Sequence, residues 1–391
     1  MKKSLFALAL GTFGLGMAEF VMMGILPDVA NSLGISIPQT GHFISAYALG
    51  VCFGALGIVL LMRKEPLKKI LIIIMSIHLF GNLITAMSVN YHMMLLMRFI
   101  SGLPHGVFFG VGAIVAKKVA DNGKQAAAVS MMVSGMTVAN LVGIPLGTSI
   151  SHHFSWRVTF LLIALFAVCI LSSIIKWIPE FDPMPDNGFR GQFKFLAHLT
   201  PWLLIIAIML GNGGIFCWLS YINPILTNVA GFKAQYVSYL MLIAGLGMCV
   251  GNLTGGKLAD KIVPPKVASG MQFFAALILV GIFFFSTNQI LSIVMTFLCA
   301  FCLFGVSAPQ QTLIIDCSKG GELFGAALAQ VAFNLGNAIG AYVGGLPVVY
   351  GYGFEYCTIP GIVFAILGGI LLAIMAKRCD KKRNLDWYNN N

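Results

Sequence analysis

One carboxylate, Glu19, stands inside the apolar run "GLGMAEFVMMGILP", residues 14–27. Arg98 is equally isolated in "LMRFISGLPHG", and His105 follows it seven residues later, a spacing that returns to nearly the same face of a helix. A carboxyl that takes a proton in apolar surroundings and releases it when a cation approaches carries one proton per cycle, and a nearby imidazole can relay it. Two plainer chemistries fit the same residues. Glu19 and Arg98 can form a permanent structural pair, or the acid can recognise a cationic or hydroxyl-bearing solute directly. His105 fits either a relay or a hydrogen-bonded packing residue, and His78 reads as structural.

The solvent around these groups decides how unusual they are. The 391 residues are 58% hydrophobic and 9% charged, with a mean hydropathy of +0.90, whereas soluble domains are about a quarter charged. That composition points to a polytopic helical membrane protein. Apolar windows of helix-spanning length fall at 4–26, 40–62, 69–89, 93–116, 126–149, 156–178, 201–222, 236–257, 266–286, 289–314, 323–348 and 354–376. They lack the alternation of barrel strands. The opening "MKKSLFALAL" has no A-x-A cleavage site before its apolar run ends, so it reads as an uncleaved first span. Glu19 then lies ~10 Å from the outer end of span 1 and Arg98 ~8 Å from that of span 4, at 1.5 Å rise per residue. A lone charge at helix centre costs roughly 2.5–3.5 kcal/mol even on lenient insertion scales.

The net charge of +11 would suggest nucleic acid in a soluble chain. Here all but three of the 24 Lys and Arg fall on one side of the spans, in "MKK", "RKEPLKK", "KKVADNGK", Lys176 at the inner end of span 6, the central linker, "KLADKIVPPK", Lys319 and the tail "KRCDKKR". Arg157 and Lys233 fall on the other side and Arg98 within a span. The positive-inside rule then puts both termini in the cytoplasm of a plasma (inner) membrane protein, with the bilayer rather than nucleic acid as partner. Cys52, Cys169, Cys217, Cys249, Cys299 and Cys302 read as small core residues, with no metal-ligand spacing. Nor does any cofactor motif occur beyond the proton itself as coupling ion.

Shifted by 197 residues, the sequence repeats itself. Gly14 and Gly16 match Gly211 and Gly213; "ILPDVANSLG", 25–34, matches "INPILTNVAG", 222–231; "LGVCFGAL", 49–56, matches "LGMCVGNL", 246–253. Asn140, Gly143 and Gly147 match Asn337, Gly340 and Gly344. One offset serving span pairs 1/7, 2/8 and 5/11 implies two parallel six-helix halves: residues 1–179, a linker 180–199, residues 200–376 and a tail 377–391. The expected fold is an all-α membrane protein of twelve transmembrane helices in two pseudo-symmetric six-helix bundles.

The motifs add a family. "GGKLADKIVPPK", 255–266, resembles the loop signature of the major facilitator superfamily between helices 8 and 9; the equivalent first-half position of its aspartate holds Arg63. "LMRFISGLPHG" resembles the family's R-x-x-x-G element, and "GMTVANLVGIPLG", 135–147, the antiporter signature of helix 5. Across nearly its whole length the chain resembles AraJ-like efflux transporters of the drug:proton antiporter branch, through "LALGTFGLGMAEF", "SGLPHGVFFGVGAIV" and "AFNLGNAIGAY". The resemblance implies proton-coupled export of a sugar, nucleoside or drug-like solute by alternating access, two bundles rocking about a site between them.

Within that fold Glu19, Arg98 and His105 are the proton-coupling candidates. Asn212, Trp218, Gln310, Gln330, Asn334 and Asn337 would face a central cavity, where amides and an indole suit hydroxyl-rich or aromatic neutral solutes. Gating candidates are Asp260 and Lys261 at the cytoplasmic end of helix 8, and Gly143, Pro145, Gly147, Gly340 and Gly344 on helices 5 and 11. The glycines, four apart, line helix faces that serve either sliding or static packing, and Pro145 is a point of bending. An intramembrane enzyme would need a catalytic pair that is not apparent, and no P-loop occurs for ATP-driven pumping. Receptor function would need more soluble mass. A channel, a proton-coupled uptake symporter and an uncoupled facilitator are the alternative machines. The chain is expected to act as a monomer.

Overall fold

The computed structural model describes residues 2–62, 64–121, 125–181, 194–318 and 322–381. Among them twelve long helices follow the apolar windows to within a few residues. In the first half these are α1 (Lys2–Gly24), α2 (Ile37–Met62), α3 (Leu67–Ala86), α4 (Tyr91–Val119), α5 (Gln125–Val138 continuing as Ile144–His153) and α6 (Trp156–Trp177). In the second they are α7 (Leu199–Leu219), α8 (Val237–Lys261), α9 (Pro264–Phe285), α10 (Gln289–Gly305 continuing as Ser307–Asp316), α11 (Glu322–Val349) and α12 (Thr358–Lys381). Eleven are long and apolar enough to cross a membrane. The twelfth, α11, has 28 residues but carries the amides Gln330, Asn334 and Asn337.

Local sequence explains the boundaries. Asn90, Ser155 and Asn288 accept hydrogen bonds from the free backbone amides of Met93, Arg157 and Leu291, starting α4, α6 and α10. Ser36 and Gln39 cap each other reciprocally ahead of α2. In α5 a single π-helical turn, Ala139–Gly143, precedes Pro145. A proline lacks the N–H and crowds the carbonyl four residues back, and a widened turn relieves both. Asp260 and Lys261, expected in a loop, instead close the last turn of α8. The apolar-rich "GGKLAD" run continues the helix, and a lysine at its C-terminal end suits the dipole. Arg63, Lys319 and most of the linker and tail lie outside the described residues.

The chain divides into two compact units, residues 1–186 with 233–242, and residues 187–232 with 243–391. Each has its own core. Leu8, Leu15, Ile74, Phe108, Met132 and Ile170 centre the first, and Leu204, Ile208, Val306, Leu313, Ala329 and Leu372 the second. Large apolar side chains such as Leu161, Leu165, Val168 and Ile175 stay exposed along α6, a face suited to lipid. Cys52, Cys217, Cys299 and Cys302 are buried as expected, whereas Cys169 lies exposed on α6 and Cys249 is half-buried.

The 197-residue repeat is structural. Both copies of the "ILPDVANSLG" segment turn at a glycine with positive φ, Gly34 at 65° and Gly231 at 73°, a conformation open to a residue without Cβ. In the first unit a Cβ on Gly50 or Gly54 of α2 would collide with the α4 carbonyls of Phe99 and Leu103. In the second, a Cβ on Gly247 or Gly251 of α8 would collide with the α10 carbonyls of Phe297 and Phe301. Backbone here touches backbone, so neither side can yield. Gly54→Val and Gly251→Val are each expected to lower the melting temperature in detergent and the yield of monodisperse protein, since overpacking against a rigid neighbour costs about 1–3 kcal/mol or more. Gly57→Ala, where the new Cβ meets nothing within 4 Å, is the control and should be neutral or slightly stabilising.

Candidate functional site

The close approach of α2 and α4 builds the site. Gly102 lies midway between Arg98 and His105, and a Cβ there would collide with the Tyr47 carbonyl of α2. That contact seats the Tyr47 ring beside both residues. The Arg98 guanidinium lies 4.4 Å over the Tyr47 ring, and Tyr47 Oη is 3.1 Å from His105 Nδ1. On the other side α1 reaches α4 because Gly11 leaves room for the Phe108 ring. Glu19 of α1 then faces His105, with Oε2 3.6 Å from Nε2. Glu19, Tyr47, Arg98 and His105 are all buried.

Arg98 is clamped by backbone. Nη1 donates to the Ala18 carbonyl at 2.7 Å and Nε to the Phe43 carbonyl at 3.4 Å, while Nη2 has no hydrogen-bond partner. It lies close enough to Glu19 for the two charges to act on each other. The His105 ring stacks on Phe109 with centroids 5.1 Å apart. Behind these groups His78 of α3 is fully buried, and the Asn82 amide donates to its carbonyl at 2.8 Å. Glu19, Arg98 and His105, picked from sequence, thus come together in one unit. Tyr47 and the carbonyls of Leu15, Ala18 and Phe43 are the parts that sequence reasoning missed. A lone tyrosine within an apolar span was the available signal, because a buried phenol needs a partner.

The second unit holds the amides. Asn212 on α7 donates through Nδ2 to Asn337 Oδ1 on α11 at 3.3 Å, and Asn334 donates to the Gln330 carbonyl at 3.0 Å. Asn212 Oδ1, Asn334 Oδ1 and both amide atoms of Gln310 are buried without hydrogen-bond partners. Trp218 is buried on α7, and Gln330 is half-buried. The glycines pack helices inside their own units. Gly143 and Gly147 meet Met17 and Val21 of α1, and Gly340 and Gly344 meet the α7 carbonyls of Gly213 and Cys217. Of the two roles weighed for these glycines, this contact is the packing one. Pro145 follows the π-helical turn.

The repeat divides the chemistry. At the 197-residue offset Glu19, Tyr47, His78, Arg98 and His105 correspond to Phe216, Ala244, Ala275, Met295 and Cys302. Conversely, Asn212, Gln310 and Gln330 correspond to Leu15, Ala113 and Val133. The ionisable groups of this cluster thus have no counterpart in the other copy, whereas Asn337 has one in Asn140, whose own amide atoms are buried without hydrogen-bond partners. Among the described residues no cluster of metal-ligating side chains occurs.

The chain is 45% identical to the AraJ protein of Escherichia coli (strain K12) over 97% of this chain and 96% of that one. It is 32% identical to the inner membrane transport protein YdhP of the same organism, over 96% of each. Among solved structures, a D-xylose–proton symporter superposes with a TM-score of 0.75 at 13% identity, covering 95% of this chain and 96% of that one. A bacterial homolog of the human lysosomal transporter Spinster, inward-facing and unoccupied, gives 0.69 at 15%, covering 96% and 95%. The pattern of the Major Facilitator Superfamily matches residues 8–341. With its twelve helices, its two-fold repeat and its transport relatives, the chain belongs to the Major Facilitator Superfamily, as a multi-pass membrane transporter of small solutes and not an enzyme.

Proposed function

We propose that this transporter exports a small organic solute in exchange for protons by alternating access, with the proton as its coupling ion. One observation carries the reading: a carboxylate buried at membrane depth, 3.6 Å from a histidine and beside a clamped arginine. Intramembrane acids in transporters are functional by default. Glu19 is the proton carrier, His105 its exchange partner, and Arg98 the fixed cation that favours the ionised acid. The unpartnered Nη2 of Arg98 is a donor available to that acid. The amides of α7, α10 and α11 recognise the solute, and their uncharged chemistry favours a sugar, a nucleoside or another neutral, hydroxyl-bearing or aromatic molecule. Asp260 and Lys261 at the end of α8, with Pro145 in α5, serve as gating elements. Export itself rests on the resemblance to efflux transporters. The protein works as a monomer in the inner membrane with both termini cytoplasmic.

Proteoliposomes under an imposed pH gradient test this directly. Candidate sugars, nucleosides and lipophilic cations should include one that moves uphill against the inward proton flux. Accumulation in the direction of proton flow would identify a symporter, and transport indifferent to the gradient a facilitator. For the transported solute, Asn212→Leu is expected to raise KM about 2–10-fold, the worth of one neutral hydrogen bond. An unchanged KM would reduce Asn212 to a packing residue.

A further inference from the structure

We propose that Tyr47 is the positioning residue of the proton site: its hydroxyl decides which nitrogen of His105 carries hydrogen, and so whether the ring offers Glu19 a donor or an acceptor. The inference rests on the proposed role of Glu19 as proton carrier. It starts from an unusual placement. Tyr47 Oη is 3.1 Å from His105 Nδ1 and 3.3 Å from the Leu15 carbonyl oxygen of α1, while Glu19 approaches Nε2 of the same ring. A phenol has one hydrogen to donate and here two acceptors to choose between.

Each choice fixes the ring. If the hydroxyl donates to His105 Nδ1, the neutral imidazole carries its hydrogen on Nε2 and presents a donor to Glu19, which suits the ionised carboxylate. If the hydroxyl donates to the Leu15 carbonyl, Nδ1–H donates to the phenol oxygen, and Nε2 accepts from the protonated carboxyl. The two arrangements differ by one proton overall. The tyrosine hydroxyl first rotates to Leu15; a solvent proton then adds to the freed Nδ1 to give an imidazolium, and its Nε2–H passes to Glu19. No covalent bond other than N–H and O–H changes. The 3.6 Å separation of Nε2 and Oε2 is just beyond hydrogen-bond length, as is common for proton-transfer pairs before substrate binds.

The surrounding charges do not supply an alternative selector. The titratable or charged groups packed around His105 are Glu19 on α1, Tyr47 on α2, His78 on α3 and Arg98 on its own helix. Among the described residues, Tyr47 is the one whose side chain reaches Nδ1 at hydrogen-bond distance, 3.1 Å. Because that hydroxyl also touches the Leu15 carbonyl, the protonation of Glu19 is linked to a backbone bond one turn away on the same helix. A change of proton state thereby alters how α1 is tied to α2.

The test is Tyr47→Phe, which keeps the ring under Arg98 and removes only the hydroxyl. In purified protein labelled with 15N-histidine, the wild type is expected to show His105 as the Nε2–H form at alkaline pH and the Nδ1–H form as the pH falls. In Tyr47→Phe that switch should be lost or shifted, and the pH profile of uphill transport should move with it, while solute exchange without a gradient stays within about threefold of wild type. Identical histidine spectra and pH profiles in the two proteins would overturn the proposal. Equal losses of exchange and uphill transport with unchanged spectra would overturn it too, leaving Tyr47 structural. The spectra do not depend on Glu19 being the carrier. If Glu19→Gln still transports uphill but Tyr47→Phe alters the tautomers, the carrier assignment fails and the positioning role stands.

Discussion

A Glu19→Gln transporter is expected to equilibrate its solute and never to concentrate it. Glutamine matches glutamate in size and keeps one oxygen toward His105, so the packing of α1 survives. It cannot bind and release a proton. In proteoliposomes the accumulation ratio under a pH gradient should fall to about one, the passive limit, whereas counterflow exchange of labelled for unlabelled solute persists. The expected effect is large because one buried acid is assigned the whole of the coupling. Uphill transport at the wild-type rate in Glu19→Gln would remove Glu19 from the mechanism. Loss of exchange together with accumulation would show that the carboxylate serves binding or folding instead.

Much of this was legible in the residues. Eleven of the twelve helices are marked by hydrophobicity and length alone, because a helix crossing lipid must satisfy its backbone internally and cover ~30 Å. The repeat was legible because Gly50 and Gly54, like Gly247 and Gly251, are places where only glycine lets two backbones touch. Glu19, Arg98 and His105 were legible because charge is rare in such spans. Tyr47 was not. A tyrosine is ordinary in a membrane helix, and its role follows from Gly102 two helices away, a packing fact that no periodicity within α2 encodes. The extension of α8 through Asp260 was missed for a different reason: charged residues end an apolar window long before they end a helix.

The asymmetry of the repeat narrows what each unit has to do. A copy of the fold with Phe216, Ala244, Met295 and Cys302 at the corresponding positions offers no carboxylate and no imidazole there. On the proposed reading, the proton carrier therefore has no counterpart in the second unit. Buried amide atoms without hydrogen-bond partners occur in both units, at Asn82 and Asn140 in the first and at Asn212, Gln310 and Asn334 in the second.

Arg98→Ala is expected to be the most damaging single change in the first unit. The guanidinium holds the carbonyls of Ala18 on α1 and Phe43 on α2 from its place on α4, and its face covers Tyr47. Removing it unties three helices, empties a fully buried volume and leaves Glu19 without its nearby permanent cation. Breaking a buried charge interaction from one side costs about 3–5 kcal/mol, a large share of the total stability of about 5–15 kcal/mol typical of a folded domain. Fluorescence-detected gel filtration should show little monodisperse Arg98→Ala. Arg98→Lys separates charge from geometry: an ammonium keeps the cation but not the planar fork that reaches two carbonyls at once while lying flat on a ring. Yield should recover in part with lysine while uphill transport stays below about a tenth of wild type. Normal yield and full transport in Arg98→Ala would mean that the clamp holds nothing together, and that Glu19 is kept in place by His105 and its own helix.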